Sequence, residues 1–176
     1  MSFKYLFSLL LCLSANSWAT LPDYNPPEIL ARANITDGYN LPRFSFLNST
    51  SPVINNNGDV AFKVMAIEGV NNQGIWLKTS KDSAGKIVYV APEERFLTEP
   101  ESVSENGAIA FNLYDDGVTD GIFVIDIKSQ KVDQVLAPDD QPIQFYTYPK
   151  IQNNDQIFFR ATDDNNDRIF YQLINK

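Results

Sequence analysis

Carboxylates and aromatic rings are the side chains whose types and spacing here suit chemistry, because imidazole is missing: the 176 residues hold no histidine. That excludes Ser-His-Asp and Cys-His nucleophilic sites and the common zinc centres. Asp115, Asp116, Asp120 and Asp163, Asp164, Asp167 form two acidic turns with the oxygen density that calcium takes. They lack the full calcium loop with its closing Glu, and hairpin turns favour Asp, Asn and Gly for backbone reasons alone. A plain turn is the ordinary reading, and no metal ligands are assigned. Glu93, Glu94, Glu99 and Glu101 crowd one loop. Glycoside hydrolysis needs two carboxylates ~5–9.5 Å apart across the substrate, and solvated loop charge accounts for these four as well. Phe145, Tyr146 and Tyr148, with Arg43, Phe44 and Phe46 at the corresponding earlier place, suit either a sugar-binding surface or the core of short strands. No catalytic residue and no cofactor is assigned.

The positions of these groups depend on a tandem repeat. Asn55-Asn56-Asn57-Gly58-Asp59-Val60-Ala61-Phe62 returns as Gly107-Ala108-Ile109-Ala110-Phe111, 49 positions on, and as Asp155-Gln156-Ile157-Phe158-Phe159, a further 48 on. A second marker follows each copy at a spacing of 47: Gly74-Ile75-Trp76, Gly121-Ile122-Phe123 and Arg168-Ile169-Phe170. A period in this range points to a solenoid, propeller or similar array.

Each copy reads as a turn feeding a strand. Gly58 and Gly107 admit positive φ, and Asp155 is a usual substitute. Val60, Phe62, Val64; Ile109, Phe111, Leu113; and Ile157, Phe159, Ala161 then alternate with the period of a half-buried strand. The three phenylalanines are expected at equivalent core positions. Second strands start at Ile75, Ile122 and Ile169, third strands run Ile87–Ala91 and Val132–Leu136, and fourth strands lie near Arg95–Thr98 and Pro142–Tyr146. Glu28–Ala33 resembles a third strand and Arg43–Leu47 a fourth. The expected fold is all-β, with three four-stranded repeats in a propeller-like array. The units are 52–100, 101–148, and a composite of 28–51 with 149–176. In that composite, residues 28–47 lie beside residues 155–175, within one chain or across two, and close the array between its ends. A β-trefoil, a β-prism and an irregular sandwich are the alternatives.

The signature resembles that of a bacterial family of exported tandem-repeat proteins named for Asn-x-x-Gly-x-x-Ala-Phe. Asn55, Gly58, Ala61 and Phe62 match it fully; the second copy carries Ser104 for the Asn, and the third has Gln152, Asp155, Phe158 and Phe159. The resemblance spans residues 28–176 and implies propeller-like repeats. It carries no defined activity.

Lys4, the apolar run Tyr5–Leu13 and Ser17-Trp18-Ala19 have the order of a secretory signal cleaved before Thr20. Residues 1–19 are read as the signal peptide and 20–176 as one domain, periplasmic or secreted. Cys12 leaves with the signal, so the mature chain has no thiol. The net charge of −8 becomes −9 when Lys4 goes, which disfavours nucleic acid and anionic membrane as partners. A non-catalytic binding or scaffold module for a protein or carbohydrate ligand is the leading expectation. A carboxylate-dependent carbohydrate-active enzyme and a self-assembling structural subunit, such as a homodimer, are the alternatives.

Overall fold

The computed structural model describes residues 26–33, 40–47, 51–70, 72–98, 100, 102–138, 143–163 and 165–174, with backbone alone over 143–147. The proposed signal peptide, Pro142, Glu99, Glu101, Asp164 and the side chains of Phe145 and Tyr146 lie outside this set.

The chain is all-β and builds three antiparallel sheets in sequence order. The first contains β1 (Phe46–Leu47), β2 (Val53–Ile54), β3 (Val60–Met65), β4 (Gln73–Lys78) and β5 (Lys86–Val90). The second contains β6 (Phe96–Leu97), β7 (Ala108–Asp115), β8 (Val118–Asp126) and β9 (Val132–Leu136). The third contains β10 (Ile143–Ile151), β11 (Ile157–Asp163) and β12 (Arg168–Leu173). Among the described residues no closed barrel forms.

The pleat sends alternate side chains to opposite faces of each sheet. The rear face looks toward the preceding layer and the forward face toward the following one. Ala61, Ile75 and Leu77 on the forward face of the first sheet pack against Ile109, Phe111, Leu113 and Ile125 on the rear face of the second. Ala110, Ile122 and Leu136 on the forward face of the second pack against Ile157, Phe159 and Ala161 on the rear face of the third. This accounts for the Ala-Phe step in the signature. The small residue faces forward and leaves room, and the next residue faces rearward as the ring that fills the room left by the layer before it. Phe111 and Phe159 are buried, whereas Phe62 is only half-buried because Leu30, Ala31 and Leu41, rather than a sheet, lie against its side of the first layer. The register makes the three rings equivalent. Phe62 pairs with Trp76, Phe111 with Phe123 and Phe159 with Tyr171, at ring-centroid separations of 4.5, 5.7 and 5.4 Å.

The turn ahead of each first strand also repeats. Gly58 N–H donates to Asn55 O, Gly107 N–H to Ser104 O and Asp155 N–H to Gln152 O, with φ of 82°, 88° and 59° at the donor residue. Asn55 Oδ1 accepts from the Asn57 and Asp59 amides, and Ser104 Oγ accepts from Ala108 N–H at 3.0 Å. The turns lie side by side and are cross-linked. Asn55 Nδ2 donates to Ser104 O and Asn57 Nδ2 to Glu105 O, both at 3.0 Å. Glu105 N–H donates to Asn153 Oδ1 at 3.0 Å, and Asn106 Nδ2 donates to Asn153 O. One period of the repeat is therefore also one step of an amide ladder between layers.

Two expectations are corrected. Within the chain, the described parts of 28–47 do not join the described parts of 155–175: Phe46 and Leu47 pair with Met65 and Val64, and Leu30 and Ala31 pack on the rear face of the first sheet. Reaching β12 instead of β3 would close a loop roughly ten times longer, at an added cost of about 2 kcal/mol in loop entropy. Each fourth strand likewise joins the sheet after it, with Phe96 and Leu97 pairing with Tyr114 and Leu113 and β10 pairing with β11. The third marker also slips by one residue. Tyr171, not Phe170, stands opposite the signature Phe, so Phe170 is the equivalent of Ile75 and Ile122, and Ile169 that of Gly74 and Gly121. A one-residue slip exchanges the two faces of a strand.

Candidate binding face

The corrected register singles out the forward face of the third sheet. Ile75 and Ile122 are 0 % exposed, because each is covered by the next layer, while Phe170 is 82 % exposed. Phe158 takes the place of Ala61 and Ala110, both fully buried, and is itself only half-buried. Arg160 takes the place of Lys63 and Asn112, both buried. Lys63 Nζ there donates to Leu97 O at 2.5 Å, and Asn112 Nδ2 to Gly121 O at 3.1 Å.

Strand pairing places the remaining members. Lys150 stands opposite Phe158, Arg160 opposite Phe170, and Arg168 opposite Thr162, so all share the forward face. Tyr148 arrives through a register shift in β10 between Thr147 and Lys150, with φ of 56°. Its ring is 51 % exposed and lies 5.3 Å from the Arg160 guanidinium carbon, within cation–π range. Tyr148, Lys150, Phe158, Arg160 and Phe170 line a shallow groove of about 180 Å³. At the margin, burial pushes the Tyr114 hydroxyl up to about 12; the neighbouring Tyr148 adds to the rise and Arg160 partly opposes it. The face offers three exposed or half-exposed rings and three cations, and its described residues carry no carboxylate.

The other sequence candidates go elsewhere. Asp116 and Gly117, with φ of 44° and 83°, form the two-residue turn between the paired Asp115 and Val118, as a primed hairpin turn requires. Asp115 and Asp120 are bridged by Arg95 at 2.5 and 2.7 Å. Asp163 Oδ1 accepts from the Asn165 and Asp167 amides of its own loop. These bonds tie the carboxylates of Asp115, Asp120 and Asp163 into their turns. Glu93 and Glu94 are exposed, and Glu94 has a φ of 67°. Phe44 and Phe46 are half exposed rather than core, with the Arg43 guanidinium carbon 5.6 Å from the Phe44 ring. Of the sequence-nominated aromatic group, only Tyr148 is on the third sheet's forward face with its side chain described. Phe158, Arg160 and Phe170 were missed. The available signal was the Ala-to-Phe change at position 158, a large ring where a following layer needs a small residue.

Beside the amide ladder two wider grooves open between layers. One of about 520 Å³ is lined by Asn57, Asp59, Lys86, Glu105 and Lys128. The other, of about 590 Å³, is lined by Asn106, Asp126, Lys128, Asp133 and Asp155. Three carboxylates in one groove invite the glycosidase reading, but the general acid of such a site must have a raised pKa. Asp126 moves the other way: the Ser129 and Lys128 amides hold its carboxyl below the usual carboxylate range. Asp133 is paired with Lys131 at 2.7 Å on an exposed strand.

No known family description matches this chain, and no curated protein matches it. No helix among the described residues is long and apolar enough to cross a membrane.

Proposed function

We propose that this protein is an exported, non-catalytic binding module. Its three sheets form a propeller-like arc, and its ligand lies on the forward face of the third sheet. One observation carries the reading. The positions that are buried in the first two sheets, Ile75 and Ile122, correspond in the third to a phenylalanine that is 82 % exposed, among Tyr148, Phe158 and Arg160. Exposed aromatic and arginine side chains grouped on a rigid sheet are the composition of binding surfaces. The amide ladder supports the same reading from the other side, since it fixes the relative positions of the layers through side chains that are then unavailable for chemistry.

Export rests on the order of charge, apolar run and small residues in positions 1–19. Mass spectrometry of the exported protein is expected to find Thr20 at the amino terminus, and an intact Met1 in that fraction would refute processing. Binding is tested with the exported protein on an array of polysaccharides and peptides. Phe170→Ala is expected to remove the strongest signals without altering the circular dichroism spectrum. An array on which the variant and the parent bind alike would move the site off this face. Release of shortened sugar from a bound polymer would replace the non-catalytic reading with an enzymatic one.

A further inference from the structure

We infer that Asn57-Gly58 and Asn106-Gly107 are sites of spontaneous amide-to-acid conversion, held closed by the ladder between layers and opened when the layers part. These are the two Asn-Gly steps of the chain, and both fall in signature turns. The chemistry needs only water and base. The glycine N–H gives up its proton to hydroxide, and the nitrogen attacks Cγ of the preceding asparagine. The new N–Cγ bond closes a five-membered succinimide, and the Cγ–Nδ2 bond breaks to release ammonia. Water then opens the ring at either carbonyl. One opening leaves aspartate; the other leaves isoaspartate, whose backbone runs through the former side chain and is one atom longer. Glycine hinders this attack least, because it has no Cβ beside the nitrogen. The third turn carries Asn154-Asp155 instead and serves as an internal comparison.

Solvent reaches both sites, since Asn57 and Asn106 are exposed. Bonding is what restrains them. Gly58 N–H donates to Asn55 O and Gly107 N–H to Ser104 O, both at 3.1 Å, so the proton that must leave is held. The departing nitrogen is held too. Asn57 Nδ2 donates to Glu105 O at 3.0 Å. Asn106 Nδ2 donates to Asn153 O and, at 3.5 Å, to Asp155 Oδ1. These side-chain bonds cross from one layer to the next, so each carboxamide is released to meet its glycine nitrogen only after that rung opens. Conversion therefore reports local opening, as amide hydrogen exchange does.

The product keeps the rung open. An aspartate at 57 has no donor for Glu105 O, and one at 106 sets a carboxylate beside Asp155, where like charges repel. Isoaspartate puts an extra backbone atom into a turn closed by a single 3.1 Å bond. Each event removes a link between two layers and adds one negative charge, and the loss of ammonia makes it one-way.

The test is peptide mapping by mass spectrometry of the full chain held in mildly alkaline buffer, folded and in guanidinium chloride. In the denatured chain Asn57 and Asn106 are expected to convert while Asn154 stays an amide. In the folded chain both conversions are expected to be at least about tenfold slower. Two substitutions separate the rungs. Asn55→Ala removes the link to Ser104 O and two amide bonds within the first turn, and should speed Asn57 by about tenfold relative to Asn106. Asn153→Ala, at an exposed position that holds the Glu105 amide, should speed Asn106 relative to Asn57. Asn106→Asp should lower the urea midpoint, whereas Asn154→Asp, with no described layer beyond it, should leave the midpoint in place. Equal rates in folded and denatured chains would overturn the inference, because the ladder would then restrain nothing. Amides that persist in the denatured chain would overturn it at the chemistry. Equal acceleration of both sites by either substitution, or none by both, would show that single rungs do not govern conversion, and an Asn106→Asp chain as stable as the parent would remove its consequence.

Discussion

The second and third sheets are built from the same hairpin, yet among the described residues one is covered on both faces and the other on only one. Ile122 and Phe170 occupy the same register position; the first is fully buried under the third sheet and the second is almost fully exposed. On their rear faces the two sheets agree, with Phe111 and Phe159 both buried and each stacked on an aromatic partner. The difference teaches that alternation along a strand says which residues share a face. It does not say whether that face is core, because a neighbouring layer decides that.

The sharpest way to break this comparison is truncation of a rear-face ring. Phe111→Ala is expected to cost about 3–5 kcal/mol, since the ring is fully buried between two layers. Urea denaturation reads this, and a loss of only a few tenths would mean that the rear face is not core. Next in size is the first signature turn. Asn55 holds two backbone amides, the Asp59 carboxylate and Ser104 O, so Asn55→Ala should cost about 2 kcal/mol. Gln152→Ala, at the exposed equivalent in the third turn, should stay within ~0.5 kcal/mol. Equal effects would show that the turn's backbone, not its side chain, holds the layers.

A separate effect appears at high pH. The Tyr114 hydroxyl titrates at about 12 in the folded protein against about 10 when unfolded. The folded state thus favours the protonated form, and this contribution is fully present below pH ~10. It is lost as pH rises from ~10 toward 12, where the unfolded chain has ionised and the folded one has not. Tyr114→Phe is expected to flatten this part of the stability–pH curve, and an unchanged slope would place the loss on other groups. The smallest expected change is Phe170→Ala, within ~0.5 kcal/mol, because its ring is mostly in solvent. A cost near that of Phe111→Ala would mean that the forward face is covered in solution, which self-association would reveal as a doubled mass.

Several features were determined by the sequence alone. The alternation at Val60, Phe62 and Val64 and its two copies specify strands, because a period of two has one structural meaning. Asn55, Gly58 and their counterparts specify the turn, because positive φ and a local acceptor are short-range demands. The all-β class follows from those two patterns together. Other features were decided by the tertiary structure. Phe46 and Leu47 pair with the strand that a short loop can reach rather than with the strand that completes their count. The third marker misleads by one residue because the register of β12 is set by pairing with β11, which the spacing of Arg168, Ile169 and Phe170 does not encode. The identity of the candidate face was hidden for the same reason. Phe158, Arg160 and Phe170 are separated along two strands and become neighbours only through cross-strand pairing, and their exposure depends on a layer that packs over their equivalents in the other sheets and not over them.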